Sequence, residues 1–364
     1  RKGGHEVRIF APAHPEVREK REDVYRFRSV RFILYKGLRV ALPYNRRAFA
    51  ALKDLDIVHS HDPFSVGLVG FWASLRYGIP HVHTYHTQYV EYRKYLPYPF
   101  RPSRQVVERL SRMLCNRCDA VIAPSSHIER ELRRYGVKVP VHVLPFGVDE
   151  EAYTRPPTWD VRQALGLPPS SEILLYVGRL GWEKNIEFLI RSFRRIARER
   201  SGAWLVLVGD GPHRPKLEGL VRELGLSERV VFVGYLPWER LIDPYRQATL
   251  FVFASKTETQ GLVVMEAMMG GTPPVAVEAM GVADLIVSEE TGLLVREDEA
   301  AFADACLSLL ADEERRKEMG ERARRWAAAH SARASVARLM EIYEGLRREW
   351  ARRHTCAQIA GPMA

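Results

Sequence analysis

The sequence is poor in cysteine and contains no long apolar run. Its 364 residues include four cysteines, too few for a disulfide framework, so a reducing cytoplasmic setting is expected. The longest apolar stretch without a charged side chain, Pro63 to Leu75, has 13 residues, whereas a helix that crosses a bilayer needs about 20. The sequence therefore predicts neither a disulfide scaffold nor a transmembrane span.

Residues spaced as metal ligands are also scarce. Cys115 and Cys118 form a CxxC pair, but Cys306 and Cys356 lie far along the chain without pair spacing, so we interpret the pair as side chains of an ordinary helix. Five histidines fall between His59 and His86. They leave a zinc- or manganese-dependent hydrolase open as an alternative, although no later ligands follow at recognisable strand ends.

Positive charge is concentrated in the first part of the chain. The net charge is +10, yet residues 1–148 hold 26 Lys and Arg against 13 Asp and Glu, and the remainder holds 29 against 32. Arginines alternate with aromatic residues between Tyr92 and Cys118, as on surfaces that lie against phospholipid. No nucleic-acid-binding module is recognisable, so no nucleic-acid partner is expected. The candidate membrane- or acceptor-contacting residues are Arg101, Arg104, Arg109 and Arg112.

Apolar β-branched runs alternate with amphipathic segments along most of the chain. This alternation predicts an α/β fold with parallel sheets and helices on both faces, and it restarts after Pro145-Phe-Gly-Val-Asp149. We therefore expect two doubly wound, Rossmann-like domains that face a cleft, followed by C-terminal helices. The predicted domains are residues 1–148, residues 149–330 and a C-terminal helix and tail at 331–364. The first predicted strand is His5 to Phe10.

Two glutamates eight positions apart follow an apolar strand. Glu258 lies in the loop after Leu250 to Ala254, and Glu266 lies in the helix that begins near Gly261. A glycine at a helix entry leaves backbone amides available to an anion, and carboxylates accept hydrogen bonds from sugar hydroxyls. On spacing alone, a solvated helix start explains the same residues equally well.

A second loop joins a strand to a helix and carries two cations. In Gly178-Arg179-Leu-Gly181-Trp-Glu-Lys184-Asn185, the two basic residues stand five positions apart. Arginine can bind a diphosphate through a bidentate fork, and lysine can bind it as a point charge. Together with the two glutamates, this loop indicates a donor-nucleotide site.

These elements together resemble glycosyltransferase family 4, a retaining group with the two-domain GT-B fold. The similar segments follow the family's order: Pro145–Asp149, Val177–Leu180 with Lys184-Asn185, Val208–Pro212, Phe232–Tyr235, Glu258-x7-Glu266, Gly270–Val277 and Thr291–Val295. Three further segments are similar to bacterial diacylglycerol glucosyltransferases: Ile57–Gly67, Ile79–Tyr89 and Thr257–Gly261.

The resemblance implies roles for individual residues. Glu258, which would hold hydroxyls of the transferred hexose, and His86, which would line the reaction centre, are the candidate catalytic residues. Glu266 would hold the ribose, and the cations would bind the diphosphate. The complete implied donor-binding set is Arg179, Lys184, Gly261, Leu262, Val263 and Glu266. The expected donor is UDP-glucose, and neither a metal nor another cofactor is expected.

The function that the resemblance implies is a retaining hexosyltransferase. It would move a hexose, glucose by expectation, to a membrane lipid such as diacylglycerol, from the cytoplasm at the inner face of the plasma membrane. The alternatives are a different acceptor (phosphatidylinositol, a sugar or a small molecule), the metal-dependent hydrolase, or an inactive truncated relic that binds membranes. The inactive relic is an alternative because the family places a strand, a Gly-rich loop and a helix before Gly4-His5. We therefore expect the N terminus to be truncated.

Overall fold

The computed structural model describes residues 3–15, 17, 21–31, 39–96 and 98–359. Packing divides the chain into two units, one made of Arg1–Leu144 with Arg338–Ala364 and the other of Pro145–Ala337. The boundaries expected from the sequence fall after residues 148 and 330. Residues 360–364 of the predicted tail, and the side chain of Cys356, lie outside what the structure describes.

The first unit is built around a parallel four-stranded sheet of order β5-β6-β7-β8, beside a parallel pair β1-β2 and an antiparallel pair β3-β4. The strands are β1 (Ile9–Pro12), β2 (Val24–Phe27), β3 (Ser29–Arg31), β4 (Arg39–Ala41), β5 (Val58–Ser60), β6 (His81–Thr84), β7 (Ala120–Ala123) and β8 (Val141–Val143). The prediction that the first strand runs from His5 to Phe10 is wrong. It begins at Ile9, where its partner β2 becomes available for pairing.

Five helices accompany these strands: α1 (Arg46–Ala51), α2 (Val66–Tyr77), α3 (Tyr89–Tyr92), α4 (Arg104–Cys115) and α5 (Ser126–Tyr135), with a 3₁₀ turn at Arg93–Tyr95. Helix α5 runs from Ser126 to Tyr135 because Ser125 caps its first turn and Gly136 ends it at φ 91°. Cys118, predicted within a helix, instead lies in a turn after α4.

The second unit has one parallel six-stranded sheet, of order β11-β10-β9-β12-β13-β14. Its strands are β9 (Glu172–Val177), β10 (Ala203–Val208), β11 (Val230–Gly234), β12 (Leu250–Phe253), β13 (Pro274–Val277) and β14 (Leu293–Val295). In chain order this is 3-2-1-4-5-6, the arrangement of a doubly wound nucleotide-binding fold.

The remaining helices are α6 (Glu150–Tyr153), α7 (Val161–Ala164), α8 (Ile186–Glu199), α9 (Arg214–Glu223), α10 (Trp238–Gln247), α11 (Leu262–Met269), α12 (Glu299–Ala311), α13 (Glu313–Ala329) and α14 (Ala332–Ile359), with 3₁₀ turns at Trp182–Lys184 and Met280–Val282. Helix α8 shows why they form. Its apolar residues recur every three or four positions, so Ile186, Phe193 and Ile196 are all buried on the sheet.

Helix α14 belongs to both units by residue number. Its residues from Arg338 onward belong to the first unit, where Ile342 and Leu346 pack into a core with Val82 and Ile122 of the central strands. The sheet of the first unit is therefore covered partly by the C-terminal end of the chain.

Candidate functional site

The winding of the second unit's sheet reverses between β9 and β12. From β9 the chain continues to β10 on one side, and from β12 it continues to β13 on the other. Loops that leave the carboxyl ends of two such strands diverge, and doubly wound folds bind ligands in the crevice between them. The loop after β9 carries Arg179 and Lys184, and the loop after β12 carries Glu258. These predicted site residues thus belong to the two loops at the switch point.

A close backbone contact supports the loop that follows β9. Gly209, after β10, has φ 127°, and a Cβ atom built on it would lie 2.0 Å from the carbonyl oxygen of Gly178. Leu180 donates its backbone N–H to the carbonyl oxygen of Asp210 at 3.0 Å. Only glycine fits at position 209, so this residue fixes the loop that carries Arg179.

The two cations of this loop both have carboxylate partners. Lys184 Nζ donates to Glu258 Oε1, and both side chains are mostly buried. Arg179 Nη2 donates to Glu183 Oε1 at 2.6 Å, with the arginine 38% exposed. The Lys184–Glu258 pair joins the loops after β9 and β12, so two residues predicted independently for the donor are in direct contact.

Helix α11 begins four residues after Glu258. Gly261 precedes it at φ 91°, and a Cβ atom there would lie 3.0 Å from Val282 Cγ2, so a larger residue would be strained and crowded. Leu262 and Val263 form the start of the helix, where backbone N–H groups lack intrahelical acceptors. These amides, together with the positive end of the helix dipole, can bind an anionic group.

Glu266 lies one turn further along α11 and is half-buried. Tyr245 of α10 donates its hydroxyl to Glu266 Oε2 at 2.6 Å. Burial raises the pKa of the Glu266 carboxyl, and the hydrogen bond from Tyr245 opposes that rise. Leu262 and Glu266 are four positions apart, so their side chains lie on the same side of the helix. The Glu266 carboxylate is thus one turn beyond the first-turn amides.

Histidines form a hydrogen-bonded cluster on strands β5 and β6 of the first unit. Ser60 Oγ lies 2.8 Å from His81 Nε2 and 2.9 Å from His83 Nδ1. His59 Nε2 lies 2.6 Å from Thr84 Oγ1, and its Nδ1 contacts the Tyr343 hydroxyl. Burial lowers the pKa of His81 to about 4 and that of His83 to about 3. These rings are therefore neutral at physiological pH and act as hydrogen-bonding members of the core.

His86 lies beyond the end of β6, outside this buried cluster. Its Nε2 lies 2.9 Å from the His61 carbonyl oxygen, and its ring packs edge-on against the His61 ring at 5.5 Å. His61 in turn stacks on His59 at 4.4 Å, and burial lowers the pKa of His61. The predicted reaction-centre histidine is thus held at the carboxyl ends of β5 and β6, where a parallel sheet presents its functional groups.

The four predicted surface arginines occur on or just before α4, and all are exposed. Arg101 donates to the carbonyl oxygen of Lys94 at 2.8 Å, so it braces the preceding segment. Arg104 pairs with Glu108 at 2.7 Å within the helix. Arg109 and Arg112 are also exposed, and neither forms an ion pair with the residues that the structure describes. Of the four arginines, Arg104 is thus the one whose charge is paired with a carboxylate in the part of the chain that the structure describes.

An apolar surface that the sequence analysis did not identify accompanies these arginines. Helix α4 exposes Val106, Leu110 and Met113, which recur at four- and three-residue spacing. Helix α2 likewise exposes its own apolar residues, of which Leu75 is 70% accessible. The exposed apolar side chains of both helices are Leu68, Trp72, Leu75, Val106, Leu110 and Met113, which we call the α2/α4 face.

A small cavity of about 70 Å³ is lined by residues of both helices of this face. Leu68 and Phe71 of α2 line it together with Leu114 of α4, and Ser60 and His83 of the sheet also contribute. The signal for the face was present in the sequence as the uncharged run from Pro63 to Leu75. Only the fold shows that part of that run is exposed.

Tyr245 and Gln260 were also missed by the sequence analysis. Gln260, next to Gly261, is buried and hydrogen-bonds through its side-chain amide to the backbone of Phe146 in the Pro145–Asp149 segment. Neither pairing has a local sequence signal, because the partners are 21 and 114 positions apart. These two hydrogen bonds join the loop before α11 to the Pro145–Asp149 segment.

Two further properties concern the described ranges as a whole. Among these residues, no group of three or more His, Cys, Asp or Glu side chains is arranged to hold a metal ion. None of the described helices combines the length and the hydropathy that a membrane span requires. Cys115 and Cys118 are free and buried, and burial raises the pKa of each thiol to about 12.

Comparison with known proteins places both parts of the chain in related families. The family described as "Glycosyltransferase Family 4" matches residues 1–152, and the family described as "Glycosyl transferases group 1" matches residues 157–326. An alpha-monoglucosyldiacylglycerol synthase of Streptococcus pneumoniae is 33% identical over 283 residues, 76% of this chain and 64% of that protein. A D-inositol 3-phosphate glycosyltransferase of Nocardia farcinica is 36% identical over 298 residues, 79% of this chain and 66% of that protein.

Solved structures agree with this placement. Sucrose-phosphate synthase from Thermosynechococcus elongatus superposes with a TM-score of 0.74 at 28% identity, covering 95% of this chain and 90% of that one. Anabaena HepE, solved in complex with UDP-glucose, superposes with a TM-score of 0.66 at 22% identity, covering 85% of this chain and 81% of that one.

The chain spans about two thirds of the length of the first two sequence relatives. A further D-inositol 3-phosphate glycosyltransferase, from Corynebacterium aurimucosum, is 30% identical over 93% of this chain and 86% of its own length. The chain therefore belongs to glycosyltransferase family 4, with the α/β architecture of the GT-B fold.

Proposed function

We propose that this protein is a retaining glycosyltransferase that moves a hexose, glucose, from UDP-glucose to a membrane lipid such as diacylglycerol. The observation that carries the proposal is the direct contact between Lys184 and Glu258 at the strand switch point. This contact brings a cation suited to phosphate and a carboxylate suited to sugar hydroxyls into one site.

Donor binding would exchange the present ion pairs for contacts with the nucleotide sugar. Lys184 and Arg179 would release their carboxylates and bind the diphosphate, while Glu258 would accept hydrogen bonds from the hexose. The amides of Leu262 and Val263 would bind the sugar and phosphate, and Glu266 would bind the ribose.

Transfer breaks the bond between the anomeric carbon and the diphosphate oxygen, forms one from that carbon to the acceptor oxygen, and passes the proton of the acceptor hydroxyl to the leaving diphosphate. Negative charge develops on the leaving diphosphate, so fixed cations and amides stabilise the transition state more than the ground state. Arg179, Lys184 and the start of α11 would supply that stabilisation without a metal ion. We propose a role for His86 in the reaction on the acceptor side.

The lipid acceptor is supported by the surface of the first unit. The α2/α4 face presents apolar side chains, and Arg109 and Arg112 add positive charge on the same helix as Leu110. A helix with an exposed apolar stripe and adjacent arginines suits a position in the plane of an anionic bilayer surface. We propose that the protein is peripheral on the inner, cytoplasmic face of the plasma membrane, through this face.

A relative of similar identity supports one alternative acceptor. The Nocardia farcinica relative is named for D-inositol 3-phosphate, and its 36% identity exceeds the 33% of the diacylglycerol relative. A soluble phosphorylated polyol is therefore the second candidate. A phosphorylated polyol would need a cationic acceptor site in the first unit, whereas a lipid acceptor would need the apolar side chains of the α2/α4 face.

Incubation with labelled UDP-glucose and vesicles of diacylglycerol in phosphatidylglycerol tests the proposal. Label that extracts into the organic phase, with an α-anomeric proton coupling, is the expected result. A parallel incubation with D-inositol 3-phosphate tests the second candidate, since its product would remain in the aqueous phase. No transfer of glucose to either acceptor, while the protein still binds UDP, would contradict the assigned reaction.

A further inference from the structure

The two carboxylate oxygens of Glu266 have different environments. Oε2 accepts the Tyr245 hydroxyl at 2.6 Å, whereas Oε1 has no hydrogen-bond partner among the described residues. The carboxylate is thus anchored on one side and open on the other.

The anchoring residue is itself rigidly held. Tyr245 is 1% exposed, and its ring packs against Phe251 with 5.9 Å between ring centroids. The Thr272 hydroxyl donates to the Tyr245 carbonyl oxygen at 2.5 Å. Gly270 approaches the same carbonyl so closely that a Cβ atom would lie 2.6 Å from it. A side chain fixed at both its backbone and its ring can hold a partner in one orientation.

A second buried tyrosine provides an internal comparison. Tyr153 of α6 lies near enough to Glu266 for the carboxylate to raise the pKa of its hydroxyl, after the larger effect of burial. Its hydroxyl is buried and makes no hydrogen bond with the described residues. Tyr245 and Tyr153 are thus the titratable groups that face Glu266 from α10 and α6, and only Tyr245 bonds to it.

We propose that Tyr245 is a positioning residue for the nucleotide donor. The Tyr245 hydroxyl holds Glu266 Oε2, so that Glu266 Oε1 faces the vicinal hydroxyls of the ribose. The inference rests on the proposed function, because it takes the ribose to be the ligand of Glu266. It adds a residue on a different helix, 21 positions earlier in the chain and outside the donor motifs.

The hydrogen bond also controls the charge of the carboxylate. Burial raises the pKa of Glu266, and the Tyr245 hydroxyl lowers it again by bonding to the charged form. Burial raises the pKa of Tyr245 itself well above its ordinary value, so its hydroxyl stays a proton donor throughout the working pH range. Removal of this hydroxyl must therefore raise the pKa of Glu266 and leave a larger protonated fraction at mildly acidic pH.

The test compares Tyr245→Phe with Tyr153→Phe, which removes a buried hydroxyl that has no hydrogen-bond partner in the described part of the chain. Titration of ¹³C-labelled glutamate by NMR, with Glu266→Gln to assign the signal, reports the pKa of Glu266 without nucleotide. Calorimetry with UDP reports affinity against pH. In Tyr245→Phe we expect a raised pKa, UDP binding weaker by roughly tenfold at neutral pH, as for one hydrogen bond to a charged group, and loss of binding beginning at a higher pH.

The outcomes separate this inference from the proposed function. If Tyr245→Phe lowers only the melting temperature, and neither the pKa nor the pH at which binding is lost moves, Tyr245 is structural and the inference is overturned. The same follows if Tyr153→Phe moves both quantities equally. If the pKa responds to Tyr245→Phe but the unmodified protein binds no UDP, Tyr245 positions Glu266 and the donor assignment is what fails.

Discussion

Gln260 donates from Nε2 to the carbonyl oxygen of Phe146 at 2.7 Å and accepts the Phe146 N–H on Oε1 at 2.8 Å. One side-chain amide therefore satisfies both backbone groups of a residue in the segment where the second unit begins. Gln260 also adjoins Gly261, so the loop that carries Glu258 and the Pro145–Asp149 segment are fastened to each other.

Replacement of Gln260 by Ala should affect both stability and donor binding. Two backbone groups lose their partners, so we expect a loss of about 2 kcal/mol in the free energy of unfolding. UDP affinity should fall as well, because the loop before α11 loses its tether. Gln247→Ala is a matched control, since Gln247 bonds to the backbone of Val161 and Trp159 away from this loop. If both variants weaken UDP binding equally, the tether has no specific role.

Replacement of Lys184 or Glu258 by Ala should abolish most transfer and leave vesicle binding intact. For Lys184, loss of one fixed cation at the developing diphosphate typically lowers kcat by about 10²- to 10³-fold. For Glu258, the substitution removes the carboxylate that we propose accepts hydrogen bonds from the hexose. Lys256→Ala is the control, because Lys256 lies in the same loop as Glu258 but pairs with Glu297 at 2.8 Å on the exposed side. The measurement is label transfer from UDP-glucose alongside vesicle co-sedimentation. Activity retained in both variants would show that the donor binds elsewhere.

Substitution of the α2/α4 face should release the protein from membranes. Leu110→Gln with Met113→Gln removes apolar contact, so binding to anionic vesicles should weaken at all salt concentrations. Arg109→Gln with Arg112→Gln should weaken it chiefly at low salt, by about 1 kcal/mol for each charge. Val336→Gln, at an equally exposed apolar position of α14, serves as the control. Vesicle binding unchanged in both double variants would exclude this face.

The histidine cluster predicts that the first unit loses stability in acid. Burial keeps the pKa of His81 and His83 at about 4 and about 3, below the ordinary value of 6.5. Below pH 6.5 the unfolded chain therefore binds protons that the folded chain does not, and stability falls until the pH passes the folded pKa values. The free-energy loss at pH 5 should be on the order of 2 kcal/mol for each histidine.

Hydrogen exchange of the segment around β6, followed between pH 7 and pH 5, measures this effect. The rates must be corrected for the intrinsic pH dependence of exchange. His83→Gln, which can still bond to Ser60, should reduce the pH dependence of protection, whereas a change at His213, which belongs to the second unit, should not. An equal pH dependence in both variants would mean that other groups control acid stability.

Parts of the site could be predicted because their signals are local. The parallel α/β pattern places Arg179 and Glu258 directly after apolar strands, and strand ends of a parallel sheet meet at one edge. Gly261 was identifiable for the same reason, since glycine before an apolar helix marks a backbone conformation that other residues avoid.

Other features depend on contacts between distant segments. Tyr245 follows Pro244, which argues against a helix, yet α10 continues through both residues. The outward side of α2 could not be distinguished from its buried side, because the run is apolar all round. The small strands β2, β3 and β4 are three or four residues long, so they carry too little alternation to be recognised.

The packing of Ile342 and Leu346 against Val82 and Ile122 affects the order in which the protein can form. A ribosome releases the central strands of the first unit early, but their covering helix emerges only after the whole of Pro145–Ala337. At about 5–20 residues per second, this interval is on the order of ten seconds or more. During translation the second unit can fold first. Until α14 is synthesised, the first unit has an incomplete hydrophobic core that chaperones must shield from solvent.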